Sequence, residues 1–191
     1  MREKIKLVVS ILVAMILFSC IDKPVKFSGK TTFSLATKNE DGLSENSTEI
    51  HQLLDSLNVA AAQADFTKYF SYFAEGATYN GTDATENWDK ESFMAWAKPY
   101  FDAKTTWNFK TVKRNIYHFE KHTDIAWFDE LLNTQMKICR GSGVVVKQNG
   151  KWKIQQYVLS MTIPNSQLDK VVKIKTAEED SILDSLNKSR R

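Results

Sequence analysis

Residues 138–163 read ICRGSGVVVKQNGKWKIQQYVLSMTI, and this stretch decides the fold. Asn149-Gly150 is the strongest short-range hairpin signal, because both residues tolerate the left-handed backbone that a tight turn of matching twist demands. The turn predicts strands over residues 138–147 and 151–163. With Gln148 opposite Lys151, Val145 falls opposite Ile154, Gly143 opposite Gln156 and Gly141 opposite Val158. Residues two apart share a face, so Trp152, Ile154, Gln156, Val158 and Ser160 are expected to point together. Lys153 on the other side marks theirs as the inner face. Arg140, Ser142 and Tyr157 then lie on the outer face unless a bulge intervenes. The two glycines beside the inner row either leave room for a ligand or let the sheet bend.

Working outward, residues 107–120 and 124–132 form a second hairpin turning at His122-Thr123. The segments before it are helical. Ile50, Leu53, Leu54, Leu57, Ala61 and Ala64 make one amphipathic stripe. Asp65 is placed to cap a short helix presenting Phe66, Tyr69, Phe70 and Phe73. Residues 77–83 read as a short strand entering a turn. A third helix follows from Lys90 to Phe101, capped by Asp89, with Phe93, Trp96, Ala97, Tyr100 and Phe101 on its buried face and Pro99 loosening its last turn. After Pro164-Asn165 the core pattern stops. Thr176-Ala177-Glu178-Glu179 fits a capping box opening a short final helix. Helices first and strands after is the order of an α+β domain with helices on one sheet face.

The chain opens with Arg2, Lys4 and Lys6, then an uncharged apolar run over residues 7–18 that ends in Leu17-Phe18-Ser19-Cys20. That run is too short to span a bilayer, which takes roughly 20 apolar residues, and it suits the core of a secretory signal. Leu17 at the third position before Cys20 resembles the lipobox of bacterial lipoproteins. The expectation is therefore a signal peptide over 1–19, cleavage before a lipidated Cys20, a flexible tether over 20–46, a domain over 47–165 and a C-terminal extension over 166–191. The anchor would attach the protein to the membrane at the periplasmic or outer surface of the cell envelope, since two or more acyl chains hold stably where one is marginal. The chain has two Cys. If Cys20 is acylated, Cys139 is the remaining thiol, no intramolecular disulfide forms, and its apolar neighbours suit a buried, inert group. The formal charge of +3 falls to about +1 without the leader, which gives no long-range attraction for phosphate backbones and argues against nucleic acid as a partner.

Several short motifs share one order and spacing: Gly81-Thr82-Asp83 with Glu86 and Trp88; Pro99-Tyr100-Phe101; Ala126-Trp127-Phe128-Asp129-Glu130; Arg140-Gly141-Ser142-Gly143-Val144; Gly150-Lys151-Trp152-Lys153-Ile154 with Gln156-Tyr157; and Ile163-Pro164-Asn165. Together, over roughly residues 49–165, they resemble the SnoaL-like branch of the nuclear transport factor 2-like superfamily. The resemblance implies an α+β cone, in which a bent antiparallel sheet wraps over about three N-terminal helices, with a pocket at its open end and frequently a homodimer. It implies isomerases, dehydratases and related enzymes as well as non-catalytic binding modules, and supplies no catalytic residues to carry over.

The candidate chemistry must therefore come from the residues themselves. Asp129 and Glu130 are adjacent on a strand, so one points in and the other out. A carboxylate in an apolar cone is suited to general acid–base work; the alternative is a structural ion pair with Arg114 or Arg140. Asp129 is the expected inward acid because it shares a face with Trp127. Trp88, Tyr100, Trp127, Arg140 and Gln156 are the candidate ligand-binding residues, with Tyr79 and Trp107 further possible linings. Arg140 is either an anion-binding group of the pocket or a dimer contact. Asp83 and Glu86 stand in a loop at the expected mouth, where turn formation and capping are the plainer roles. His51, His118 and His122 do not make a site, and no metal-ligand spacing, phosphate loop or nucleophile elbow is present, so no metal or other cofactor is expected. The leading functional reading is a non-catalytic envelope protein that binds a small apolar or amphipathic ligand or a protein partner. The alternative is a cofactor-independent lyase or isomerase using Asp129 or Glu130.

Overall fold

The computed structural model describes residues 45–119 and 121–189; the leader, Cys20 and nearly all of the expected tether lie outside the described residues. Three helices come early: α1 (Glu45–Ala62), α2 (Phe66–Ser71) and, after strands β1 (Phe73–Asn80) and β2 (Asn87–Asp89), α3 (Lys90–Asp102). Strands β3 (Lys110–Phe119), β4 (His122–Thr134), β5 (Lys137–Gln148) and β6 (Lys151–Met161) follow, and a short turn leads into α4 (Leu168–Ser189). The six strands form one curved sheet in the order β2-β1-β6-β5-β4-β3. Neighbours are antiparallel except β1 and β6, which run parallel.

Local chemistry sets the element ends. Asp65 Oδ1 accepts the Lys68 backbone N–H at 3.0 Å and Asp89 Oδ1 that of Ser92 at 2.7 Å, so both caps satisfy an otherwise orphaned donor in a first turn. Asn149 and Gly150 take φ of 52° and 74°, the paired left-handed conformation of the tight β5–β6 hairpin. Several boundaries differ from expectation: α1 begins at Glu45, inside the expected tether, and Phe73 opens β1 instead of standing on the face of α2, so that strand covers 73–80 and not 77–83. Phe119 pairs with His122, so the β3–β4 turn precedes His122-Thr123. The final helix is not short: α4 begins at Leu168, and Thr176 sits inside it, where its hydroxyl donates to the Val172 carbonyl at 2.6 Å instead of opening a capping box.

The core lies between the inner sheet face and the helices. Ile50, Leu54 and Leu57 of α1, Phe70 of α2 and Phe93 and Ala97 of α3 pack against Ala126, Phe128, Leu132, Val145 and Ile154. In the β5–β6 ladder Gln148 faces Lys151 and Val145 faces Ile154, as the turn requires, but Val144 faces Gln156 and the register slips there by one residue. This bulge reverses every later side chain of β6. Gly143 consequently faces Tyr157 and Gly141 faces Leu159. Tyr157 and Leu159 turn inward, at 3% and 4% exposure, and Gln156 and Ser160 turn out.

At both glycines other atoms of the chain already stand where a Cβ would go. A Cβ at Gly141 would stand 2.4 Å from the Tyr157 hydroxyl and 3.0 Å from Glu130 Cγ, and one at Gly143 would stand 2.2 Å from the Gln156 backbone carbonyl oxygen at the β6 bulge and 2.9 Å from the Phe128 ring. Gly141→Ala is therefore expected to cost about 1–3 kcal/mol by overpacking, read as a lower urea midpoint at unchanged slope; an unchanged midpoint would show that the Tyr157 side has slack.

Candidate functional site

Glu130 is the acid that enters the interior, not Asp129. Asp129 does share a face with Trp127, but that face is the outer one, since the inward row of β4 is Ala126, Phe128, Glu130 and Leu132. Glu130 is fully buried and closely held. Its Oε2 accepts from Arg114 Nε at 2.8 Å and lies 2.8 Å from Arg114 Nη2, and its Oε1 accepts from the Tyr157 hydroxyl at 2.8 Å. Arg114 donates further to the His51 carbonyl at 3.2 Å, Asp55 Oδ1 at 2.8 Å and Thr111 Oγ1 at 2.9 Å. One guanidinium from β3 thus joins β4 to α1. Burial, and then the Glu130 charge, push the Tyr157 phenol well above its usual pKa, which keeps it a donor to the carboxylate.

This network is structural chemistry. Both oxygens of this buried carboxylate are engaged by side chains of the protein itself. Taking one partner away is costly, because the other charge stays buried and unpaired. Glu130→Ala should lose about 3–5 kcal/mol of stability, whereas the paired replacement Arg114→Met with Glu130→Leu should recover most of it. Denaturant melts of the two variants check this; equal losses in the single and paired variants would contradict it.

Asp129 belongs to a polar cluster on the outer face. It accepts from the Tyr117 hydroxyl at 2.9 Å and Asn115 Nδ2 at 3.2 Å, with Arg140 Nη1 3.9 Å away. The Asp129 interaction, ahead of partial burial, raises the Tyr117 pKa. Trp127 stacks on Tyr117 at a centroid separation of 5.4 Å. Trp127, Arg140 and Gln156 therefore do not converge on an interior hollow, Gln156 because of the β6 bulge and the other two because of the β4 and β5 face assignment.

The hollow lies at the other end of β6, where the β1–β2 loop, α3, the segment after α3 and the β4–β5 turn meet. Its volume is about 170 Å³. An apolar cavity of about 150 Å³ accepts benzene, while drug-sized ligands occupy about 300–1,000 Å³, so the space suits a small group. Tyr79, Trp88, Phe93, Trp96, Trp107 and Phe109 supply the aromatic wall. Gly81, Thr82 and Glu86 form one lip and Gln135 and Met136 the other, with Leu159 from β6 between them. Of the five candidate binding residues, Trp88 lines this pocket; Tyr100 sits one ring behind, 5.0 Å from Trp96 and 42% exposed.

Sequence reasoning missed several of the lining residues. Trp96 was expected on the buried face of α3 and instead stands at the rim, 37% exposed. Gln135 and Met136 gave no signal, because a β-turn between two strands looks like any other. Leu159 was hidden by the bulge. Among the described residues no three His, Cys, Asp or Glu side chains converge as a metal would require.

A family model described as a SnoaL-like domain matches residues 50–164. No curated protein matches the chain. Among solved structures, a domain of unknown function with a cystatin-like fold from Nostoc punctiforme is similar at 13% identity and TM-score 0.56, covering 78% of this chain and 98% of that one. A nuclear transport factor 2-like protein of unknown function from Pseudomonas putida is similar at 16% identity and TM-score 0.55, over 65% and 92% of the two chains. An uncharacterised protein with a cystatin-like fold from Caulobacter vibrioides gives 9% identity and TM-score 0.55, over 69% and 99%. At these identities the likeness is one of fold.

Proposed function

Because the chain belongs to the SnoaL-like domain family, we propose that it is a non-catalytic binding protein of the bacterial cell envelope that holds one small apolar or amphipathic guest in the aromatic pocket. The observation that carries this reading is that neither acid of the Asp129-Glu130 pair reaches the hollow. Glu130 is bound on both oxygens away from the pocket, and Asp129 is on the outer sheet face. Proton transfer next to a carbonyl needs a free base and an oxyanion donor converging on the same guest. The pocket instead offers aromatic surface and one carboxylate at its lip, which is the make-up of a binding site. The test fills the hollow. Met136→Trp should abolish binding of a small ring probe such as indole, followed by calorimetry, at an unchanged melting temperature. Binding that survives the substitution would place the guest elsewhere.

The envelope location rests on the leader and on Cys20. Cys20→Ser is expected to move the protein from the detergent phase to the aqueous phase on detergent partitioning of cells; equal partitioning of both forms would remove the lipid anchor from the account. The outer sheet face supports self-association. Trp127, Tyr117 and Phe119 form an aromatic patch there, Phe119 being 42% exposed, with Asp129 and Arg140 beside it. A C2 contact pairs such a patch with itself, and in that arrangement Arg140 is a dimer contact. Trp127→Glu should then sediment as a monomer where the unaltered chain sediments as a dimer; a monomer in both cases would exclude this interface.

A further inference from the structure

The aromatic pocket carries one charge, and its sign selects the guest. Among the described residues that line it, Glu86 is the one carboxylate, and no Lys, Arg or His reaches the wall. Glu86 Oε2 accepts the Asp83 backbone N–H at 3.2 Å, while Oε1 takes no hydrogen bond among the described residues. The carboxylate is folded over the lip because Gly81 lets it: a Cβ there would lie 2.1 Å from Glu86 Oε2. Below the lip, three of the five tryptophans form a continuous aromatic wall. Trp88 and Trp96 have ring centroids 4.8 Å apart, and Trp96 and Trp107 6.3 Å apart, with planes inclined by 30° and 31°. Tyr79 stacks beside Trp88 at 6.2 Å. Burial first, and the Glu86 charge second, raise the pKa of its phenol.

An anion meets a carboxylate and the negative faces of the rings. A neutral apolar guest gains contact area alone. A cation gains area, the ring quadrupoles and a counter-charge together, and indole is the strongest of the aromatic partners for a cation within about 6 Å. A bare ammonium packed on the ring faces would keep N–H donors that those faces leave unmet, since Glu86, Thr82 and Gln135 stand at the lips. An alkylated ammonium brings none. Its trimethylated head is no bulkier than a benzene ring, in keeping with a volume of about 170 Å³. We propose that the pocket selects a small organic cation with a methylated ammonium head, packed on Trp88, Trp96 and Trp107 with Glu86 as its counter-charge. The assignment rests on the reading of this pocket as a binding site and adds the chemical class of what it holds.

The test compares choline with its uncharged isostere 3,3-dimethyl-1-butanol by calorimetry on the purified full chain. Choline should bind at least about tenfold more tightly than the isostere. Glu86→Gln keeps the acceptor for the Asp83 N–H and should erase most of that preference without weakening the isostere. Gly81→Ala, which displaces the carboxylate while leaving its charge, should erase it too. Equal affinity for choline and the isostere would overturn the cation assignment and leave the pocket reading intact. Binding of neither, with indole also failing to bind, would overturn both. Choline preference that persists in Glu86→Gln would remove Glu86 from the site and with it the proposal as stated.

Discussion

The Arg114–Glu130 pair is the contact on which the remaining architecture depends. A charge buried inside a fold is tolerated when it is paired and its oxygens are hydrogen-bonded. Here the match is met by a side chain from β3, and the leftover valences are met from β6 and α1. Tyr157 completes the Glu130 carboxylate, and the His51 carbonyl and Asp55 take the outer N–H groups of Arg114. The same few bonds that neutralise the acid therefore seat α1 on the sheet. They also fill the floor of the fold with a fixed polar cluster, next to Phe128 and against the space that Gly141 leaves open. Whatever hollow remains must lie beyond that floor, at the aromatic mouth.

The division has a chemical consequence. An interior acid that is free can exchange a proton with a guest, whereas one that is clamped ties strands together. The chain holds its buried carboxylate in the second way and places its accessible carboxylate, Glu86, on a lip where rings outnumber polar groups. Polar atoms at a lip orient or select a guest, while apolar walls supply most of the contact. The outer sheet face is polar and aromatic in a different proportion, with Tyr117, Trp127, Asp129 and Arg140 side by side.

How much of this was legible in the sequence can be judged residue by residue. Asn149-Gly150 announced its hairpin because two left-handed residues in a row have few other uses, and Asp65 and Asp89 announced helix starts because a carboxylate there satisfies a specific N–H. The face of the acids was not legible. Trp127 and Phe128 are both aromatic, so either parity of β4 could be read as inward, and a one-residue choice exchanges Asp129 for Glu130. The β6 bulge was invisible for a related reason. Gln155-Gln156 interrupts neither alternation pattern, yet the added residue turns Tyr157 inward, where it meets Glu130, and sends Gln156 outward. The pocket was the least legible of all, since it is assembled from four segments remote in sequence. Trp88 could be suspected from its loop, but Met136 and Leu159 acquire a role only through the register of their neighbours.

A closed floor leaves the small aromatic pocket at the mouth as the place for a guest. Xenon tests this without assuming any ligand, since it settles in small apolar hollows. In nitrogen–proton correlation spectra under xenon pressure, the account predicts that the indole signals of Trp88, Trp96 and Trp107 move. Those of Trp127, on the outer face, and Trp152, at the far end of β6, should stay fixed. Shifts centred on Trp127 or Trp152, or no shift at any of the five, would contradict it.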